Sequence, residues 1–426
     1  MYTKRKKNKK PQHNLGLLYV YLVRYKRVGM MGLEPILSCE NRILNPARLP
    51  IPPHPQPNPS IIYLTDFKFF IAMIMIFFLI ACFSIQRFDT NIYTQPFWKE
   101  DLQIDSFERA WTYSQERDGR ALLVLENNTL IYSAYHPLHS SSTPAPFWSG
   151  TKTISCLLAY DAQQKGLLSL DEFVMDTIPE WREDPLKSTI RIKDLLQFTS
   201  GLDQRFWQLT LDGFQEPRKQ KVYDKYLFAI DLPVVFPPQK SWSYGSSHLT
   251  VFAALFRRKT GLDIQEWLKK DIFSKLNFQY SGWNTDKKGN SMLAYGLWTT
   301  APELLKLGML IRDDGSYLGT QILPSGVKDF CAQASDVNPS YGLGIWKNKD
   351  MPDELDFPNP MFQKEGDTPI FHKSGIEILA FAGAKGQRIY ILPQLNWVVV
   401  HQAQEGDQFS DTVFLSLLLH NKLQEQ

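Results

Sequence analysis

The chain has 426 residues, of which 43% are hydrophobic and 21% are charged. This composition excludes a disordered polyelectrolyte, and the length is sufficient for a sizeable buried core. The net charge is +3, but residues 1–27 contain nine lysines or arginines and no acidic residue, so subtracting these nine leaves −6 for the remainder. A mildly acidic body argues against nucleic-acid binding.

The first 60 residues predict no folded domain. The basic stretch is followed by seven prolines between Pro46 and Pro59, and proline disrupts the hydrogen bonding of both helices and sheets. Residues 29–53 also resemble the peptide that results when a transfer-RNA gene is translated. We therefore expect residues 1–60 to be a disordered or spurious extension, the alternative being a genuine basic tail.

Residues 61–85 predict a targeting segment. Positions 69–85, FFIAMIMIFFLIACFSI, contain no charged side chain; this length is short for a membrane span and matches a signal-peptide core. The sequence LIAC, ending at Cys82, resembles the lipobox of bacterial lipoproteins, which would make Cys82 a lipidated N-terminus. A plain signal anchor is the alternative. Both interpretations predict membrane association, export and a location in the cell envelope, periplasmic or membrane-anchored.

The pattern becomes globular in residues 90–426, beginning with a helix and a hairpin. Residues 107–119, FERAWTYSQERDG, predict an amphipathic helix that ends at Gly119. Residues 121–135, ALLVLENNTLIYSAY, predict a β-hairpin that turns at Asn127 and Asn128.

Later segments complete the predicted domain. Residues 170–280 are mostly helical in pattern, 387–393 and 397–402 predict buried strands, and a closing helix begins near Ser410. Strands from both ends with helices between them predict an α/β sandwich (α+β). We expect an antiparallel sheet built from the N- and C-terminal strands, flanked by helices, with a mostly helical inserted subdomain.

The four cysteines are widely spaced. Cys39, Cys82, Cys156 and Cys331 predict neither a metal site nor a dense disulfide framework. Cys156 falls in an apolar helical pattern, so we expect a core residue rather than a nucleophile. No His, Cys and Asp cluster is visible, and we expect no metal or cofactor.

The segment FWSGTKTISCLLAY, residues 147–160, places Ser149 three positions before Lys152. On a helix these side chains share one face. A lysine desolvated above an apolar helix has a lowered pKa and can act as a base toward a hydroxyl. About two such S-x-x-K matches are expected by chance in a chain of this length, and a second one, Ser325 to Lys328, predicts only a capping serine and an exposed lysine.

Further segments show that the first match, Ser149 to Lys152, belongs to a larger pattern of motifs. FWSGTKT, IRIKDLLQFTSGL (190–202), SYGSSHL (243–249), YGLWTTAPELLKLGMLI (295–311) and YGLGIW (341–346) together resemble the serine β-lactamase/DD-peptidase superfamily. The resemblance is to its class C-like branch of esterases, D-aminopeptidases and 6-aminohexanoate-oligomer hydrolases. Phe198 replaces a histidine that is usual in this branch, and Ser246 stands where Tyr-x-Asn has asparagine. The resemblance implies the same sandwich fold.

The third motif of that superfamily departs from its usual form. The favoured register places Phe381-Ala382-Gly383 on the strand and Ala384-Lys385-Gly386 in the following turn; His372-Lys373-Ser374-Gly375 is the alternative. The favoured register lacks the basic or hydroxyl residue that would hold a β-lactam carboxylate, so efficient lactamase action is not expected.

The resemblance also implies roles. Ser149 would be the nucleophile, and Lys152 and Tyr244 would share the general-base work, with Tyr244 relaying the proton. Ser246 would hydrogen-bond Lys152, cap the following helix, or both. The backbone N–H groups of Ser149 and Ala384 would form the oxyanion hole, and Gly383 would permit close backbone approach.

These features predict an exported serine hydrolase. It would cleave an amide or ester of a small molecule or peptide through a Ser-Lys-Tyr acyl-enzyme mechanism. A peptidoglycan DD-peptidase and a non-catalytic penicillin- or peptide-binding sensor are the alternatives. No nucleic-acid partner is expected, and the oligomeric state is not predicted.

Overall fold

The computed structural model describes residues 102–204, 209, 223–349, 375–404, 408–420 and 422. The predictions for residues 1–60, residues 61–85 and Cys82 lie outside these ranges, as do His372, Lys373 and Ser374 of the alternative third motif. Within the described ranges, no helix is both long enough and apolar enough to span a membrane.

A six-stranded antiparallel sheet forms the centre of the fold, and its strands come from both ends of the domain. The strand order is β2-β1-β11-β10-β9-β8. The strands are β1 Gly119–Glu126, β2 Thr129–Tyr135, β3 Ala145–Pro146, β4 Gly282–Trp283, β5 Leu297–Thr299, β6 Ser316–Tyr317, β7 Thr320–Gln321, β8 Trp346–Lys347, β9 Leu379–Gly383, β10 Gln387–Leu392 and β11 Trp397–Ala403. This arrangement confirms the predicted sandwich, including the hairpin at Asn127 and the pairing of N- and C-terminal strands.

Most of the helices lie between the two groups of sheet strands. They are α1 Leu102–Gln115, α2 Ile154–Gln164, α3 Ile192–Leu196, α4 Lys225–Asp231, α5 Ser247–Thr260, α6 Ile264–Leu268, α7 Ala301–Arg312, α8 Val327–Cys331 and α9 Asp411–Leu418. Short 3-10 helices occupy Trp148–Thr153, Val174–Asp176, Pro179–Trp181, Lys187–Thr189 and Pro393–Leu395, and a π-helix follows α6 at Lys269–Phe273. The helical character predicted for residues 170–280 is therefore confirmed.

The sheet is covered on both faces, which explains the continuous apolar run of β11. Trp397 and Val399 pack into the cluster formed with α1 and α9, whereas Val398 and Val400 pack into the larger core. Helix α7 crosses this second face closely, because a Cβ atom at Gly308 would lie 2.4 Å from a Val398 methyl group. Close packing of α7 therefore depends on a glycine at that position.

The first helix ends earlier than predicted. Helix α1 stops at Gln115, and Gly119 is the first residue of β1. Asp118 adopts a left-handed conformation with φ of 59°, which reverses the chain. A Cβ atom at Gly119 would lie 1.8 Å from Ser114 Oγ. The glycine is therefore needed where the chain enters β1, and it does not end the helix.

A disulfide joins Cys156 in α2 to Cys331 at the end of α8. Both cysteines are fully buried. The expectation of a simple core residue was therefore incomplete: Cys156 is in the core, but it is covalently bonded. The partners lie 175 residues apart, and only the packing of α2 against α8 brings them together.

Candidate active site

Three of the predicted residues meet at the N-terminal side of α2. Ser149 and Lys152 lie on the 3-10 helix Trp148–Thr153, which connects β3 to α2. The Lys152 Nζ atom lies 3.0 Å from Ser149 Oγ and 2.8 Å from the Ala294 carbonyl oxygen. Tyr244 comes from the segment just before α5, and its side chain hydrogen-bonds Ser149. A hydroxyl, an amine and a phenol are thus in mutual reach.

The backbone before Ser149 is strained into a sharp turn. Trp148 has φ of 47°, a left-handed conformation that costs about 1–2 kcal/mol for a residue with a Cβ atom. The Phe147 amide donates to the Leu297 carbonyl of β5 at 2.8 Å, which anchors the start of the turn. The Phe147 ring lies beneath Gly150, where a Cβ atom would approach it to 2.5 Å. Packing on both sides therefore holds Ser149 at the turn.

Burial governs the electrostatics of Lys152. The residue is only 3% exposed, and the two hydrogen bonds described for its amine go to uncharged oxygen atoms. Desolvation disfavours the charged form and lowers the pKa of Lys152 to about 7. A substantial fraction of the amine is therefore unprotonated at neutral pH and can accept the Ser149 proton.

Tyr244 lies within a cluster of aromatic rings. Its ring stacks on Trp346 with centroids 5.7 Å apart and contacts Trp242 at 5.9 Å and Phe198 at 5.6 Å. The Lys152 amine lies 5.0 Å from the centroid of the Tyr244 ring. Burial raises the pKa of Tyr244 to about 12, although the hydrogen bond with Ser149 acts in the opposite direction. The phenol therefore keeps its proton at neutral pH and is suited to donate it.

In the segment 190–202, Phe198 stands where the resembled branch usually has a histidine. Phe198 stacks on His248 of α5 with centroids 4.7 Å apart. The Nε2 atom of His248 lies 2.8 Å from the Ser243 carbonyl, adjacent to Tyr244. Burial lowers the pKa of His248 to about 4, so the ring is neutral. His248 thus positions the Tyr244 backbone, a contribution that sequence analysis missed.

Ser246 lies at the N-cap position of α5, but its side chain makes no capping hydrogen bond. The prediction that it hydrogen-bonds Lys152 stays a prediction. In the second S-x-x-K match, Gly326 rather than Ser325 occupies the N-cap of α8.

The end of β9 lies directly against the Ser149 turn. A Cβ atom at Gly383 would lie 2.2 Å from the Phe147 carbonyl oxygen and 3.1 Å from the Gly150 nitrogen. The glycine is therefore required for approach to the backbone of the Ser149 turn. Ala384 follows in an exposed position of the β9–β10 turn, as the favoured register predicts.

Two polar side chains behind this turn were not predicted. Arg388 donates to the Gly383 carbonyl oxygen at 2.7 Å and forms a two-pronged ion pair with Asp411 of α9. Burial acts to lower the pKa of Arg388, but the Asp411 carboxylate outweighs it and the pKa lies above its usual range. An arginine directly before the apolar run IYIL was the available signal. Among the described residues, no group of three or more His, Cys, Asp or Glu side chains could hold a metal ion.

Comparison with known proteins places this geometry in a family. The Beta-lactamase family profile matches residues 99–412. The chain belongs to the β-lactamase family. The match includes all the site residues described above, and the family contains serine hydrolases and acyltransferases.

Solved structures share the fold of this β-lactamase-family chain at low sequence identity. A Bacillus anthracis protein described as a 6-aminohexanoate-dimer hydrolase has a TM-score of 0.63 at 17% identity, covering 79% of this chain and 89% of its own. A D-stereospecific amidohydrolase from Streptomyces sp. has a TM-score of 0.56 at 16% identity, covering 73% and 97%. EstCE1, a hydrolase with promiscuous acyltransferase activity, has a TM-score of 0.54 at 16% identity, covering 74% and 98%.

Curated relatives match a shorter part of the chain. Acyltransferase mokF of Monascus pilosus is 29% identical over 152 residues, which are 32% of this chain and 37% of the relative. The monacolin J acid methylbutanoyltransferase of Aspergillus terreus is 27% identical over 151 residues, covering 32% and 36%. The chain thus spans about a third of the length of the curated relatives it matches.

The lowered pKa of Lys152 predicts the pH dependence of this β-lactamase-family protein. Since the base must be unprotonated, kcat/KM for a p-nitrophenyl ester should rise about tenfold per pH unit below the Lys152 pKa of about 7 and level off above it. Steady-state kinetics across neutral pH measure this. Lys152→Met should remove most activity and abolish the inflection; an unchanged inflection in that variant would assign it to another group.

The Tyr244 hydroxyl should be required independently of the aromatic packing. Tyr244→Phe keeps the ring stack but loses the proton donor, so kcat should fall about 10²–10⁴-fold. Tyr341→Phe is the matched control, because Tyr341 is a buried tyrosine of the same aromatic cluster, 6.3 Å from Tyr244. We expect this control to keep near-normal kcat. Equal losses in the two variants would show that the hydroxyl of Tyr244 has no special role.

Proposed function

We propose that this β-lactamase-family protein is an exported enzyme that forms an acyl-enzyme at Ser149 and hydrolyses it, cleaving an amide or ester bond of a small molecule. One observation carries the proposal: a buried amine with a pKa of about 7 lies 3.0 Å from the Ser149 hydroxyl. A neutral amine at hydrogen-bond distance can remove the proton as the oxygen attacks a carbonyl carbon.

Acylation follows from the protonation states. The Lys152 amine accepts the Ser149 proton, and Ser149 Oγ bonds to the substrate carbonyl carbon, leaving negative charge on the carbonyl oxygen. The backbone N–H groups of Ser149 and Ala384 stabilise this oxyanion, and such a donor is worth about 3–4 kcal/mol. When the tetrahedral intermediate collapses, the bond between the carbonyl carbon and the leaving group breaks. Tyr244 donates its proton to the departing group and recovers one from the Lys152 ammonium. Water then releases the acyl group by the reverse sequence.

The walls of the site favour an apolar acyl group. Trp346 is partly exposed and stacks on Tyr244, so part of an indole ring is accessible next to that tyrosine. The adjacent strand β9 carries Phe381, which is buried in the core, and the half-buried Ala382, and neither is a basic or hydroxyl side chain. We therefore propose uncharged ester or amide substrates rather than β-lactams, whose carboxylate needs such a partner.

Acyl transfer to an alcohol is the second candidate function. The curated relatives are named as acyltransferases, and EstCE1 is described as both hydrolase and acyltransferase. The two reactions share the acyl-enzyme and differ only in whether water or an alcohol attacks it. The same Lys152 and Tyr244 groups serve both reactions.

Export is supported by the disulfide. Disulfides persist in oxidising compartments and are rare in the cytosol, and Cys156–Cys331 is buried in the core. Together with the apolar segment at residues 69–85, it supports our proposal of a cell-envelope location with membrane association through residues 61–85.

Activity profiling tests the enzyme proposal. Ser149→Ala should lose at least about 10³-fold in turnover of p-nitrophenyl esters and should no longer react with a fluorophosphonate probe. Ser325→Ala is the matched control, since Ser325 belongs to the other S-x-x-K sequence and is exposed; it should behave as wild type. Substrates should include linear amides, D-amino-acid peptides and a chromogenic lactam, each with and without an alcohol acceptor.

The outcomes of this profiling separate the alternatives. Ester or amide hydrolysis supports the proposal, and a product ester formed with the alcohol supports acyl transfer. Release of D-alanine from a D-Ala-D-Ala peptide as the best reaction would indicate a DD-peptidase. Labelling without turnover would indicate a sensor, and equal activity of wild type and Ser149→Ala would exclude acyl-enzyme chemistry at this serine.

The thiol state tests export. In the native host, acid quenching followed by denaturation and alkylation should leave Cys156 and Cys331 unmodified and joined in one peptide pair by mass spectrometry. A portion reduced before alkylation provides the free-thiol reference. Recovery of both residues as alkylated thiols in the unreduced sample would count against an oxidising compartment.

A further inference from the structure

The peptide bond between Gly383 and Ala384 is held from behind by an arginine. The Nη1 atom of Arg388 donates to the Gly383 carbonyl oxygen at 2.7 Å and to the Gln387 carbonyl at 3.0 Å. A trans peptide unit is planar, with its C=O and N–H groups pointing in opposite directions. Fixing the Gly383 carbonyl toward Arg388 therefore fixes the Ala384 N–H toward the other side of the turn.

The guanidinium itself has little freedom. Its Nε and Nη2 atoms donate to the two carboxylate oxygens of Asp411 at 2.7 and 2.8 Å. Tyr390 donates to the same carboxylate. The Arg388 and Asp411 side chains are only 13% and 9% exposed. A two-pronged, charge-assisted contact of this kind fixes orientation as well as distance.

The other end of the turn is held in the same manner. The Nδ1–H of His401 donates to the Gly386 carbonyl at 2.6 Å, and its Nε2 lies 2.6 Å from Ser114 Oγ. On the opposite side, Gly383 contacts the backbone of the Ser149 turn. The orientation of the Ala384 N–H is therefore restricted in two ways. The Gly383 and Gly386 carbonyls are held by Arg388 and His401, and Gly383 packs against the Ser149 turn.

We propose that Arg388, held by Asp411, is a positioning residue that orients the Ala384 N–H as an oxyanion-hole donor. The inference rests on the proposed acyl-enzyme function. The positive charge of the Arg388 guanidinium next to the Gly383 carbonyl oxygen also polarises the shared peptide group, which makes the Ala384 N–H a stronger donor. Stability alone is a weak reason for this pair, since buried ion pairs are often replaceable by apolar residues without loss of stability.

The chain contains a matched control arginine. Arg312 makes the same two-pronged contact with Asp313, at 2.7 and 2.8 Å, and donates to the carbonyl of Asn396 at 3.2 Å. Asn396 lies in the β10–β11 turn, at the far end of β10 and roughly 20 Å from the Gly383 turn. Arg312 thus has the structural role of Arg388 without its position beside the nucleophile.

The test compares Arg388→Met with Arg312→Met. We expect Arg388→Met to lower kcat for a p-nitrophenyl ester by about 10²-fold with little change in KM, as for a lost oxyanion donor. Its affinity for an aryl boronic acid, which forms a tetrahedral adduct with serine, should fall in parallel. Arg388→Lys, which can still donate to the Gly383 carbonyl, should recover part of the loss. Arg312→Met should keep wild-type kcat per folded molecule.

Thermal unfolding separates stability from positioning. If Arg388→Met does not fold, Asp411→Asn provides the test instead. This variant weakens the contact that orients the Arg388 guanidinium without removing the guanidinium, so kcat should fall to a smaller extent. Wild-type kcat in the folded Arg388 or Asp411 variant, or equal kcat losses in the Arg388 and Arg312 variants, would overturn the inference. If the inference on Arg388 is overturned but Ser149→Ala is inactive, the proposed acyl-enzyme function still holds. An active Ser149→Ala would overturn the proposed function and the inference on Arg388 together.

Discussion

The burial of the Lys152 amine beside Ser149 Oγ is the constraint on which the rest of the site depends. An unpaired charge inside a protein is costly, so a lysine surrounded by apolar groups loses its proton instead. Its neighbours are the neutral Ala294 carbonyl and the face of the Tyr244 ring. The same desolvation lowers the pKa of the amine to about 7 and raises that of the phenol to about 12. One physical effect thus leaves a partly deprotonated amine and a protonated phenol side by side.

Rigid supports surround this pair on every side. The Ser149 turn is anchored to β5 through Phe147, and the end of β9 fits against it because Gly383 has no side chain. The disulfide links α8 to α2, the helix that begins two residues after Lys152. Stacked aromatic rings bury the Tyr244 side chain. Catalytic geometry in the fold therefore comes from backbone packing as much as from side chains.

The departures from the pattern of the resembled superfamily lie outside the cluster of Ser149, Lys152 and Tyr244. The serine, lysine and tyrosine positions are retained, whereas β9 carries Phe381 and Ala382, and Phe198 replaces a histidine. Phe198 and Phe381 are fully buried, so these changes add apolar packing against Tyr244 and Phe147. In the described structure, the polar groups near the turn, Arg388 and His401, bond to its backbone carbonyls. They can shape the site without contacting a substrate.

The sandwich, the hairpin and the strand ending at Gly383 could be predicted from the sequence, because they depend on local periodicity and motif spacing. Motif spacing also singled out Ser149, Lys152 and Tyr244, whose side chains lie within hydrogen-bond reach in the structure. Sequence analysis misplaced the end of α1, where Asp118 reverses the chain, and it did not pair Cys156 with Cys331 or connect Arg388 to Asp411. Those contacts are visible only in the folded chain. They join residues distant along the chain, and the pKa of Lys152 likewise depends on burial beside Ala294 and Tyr244 rather than on its own helix.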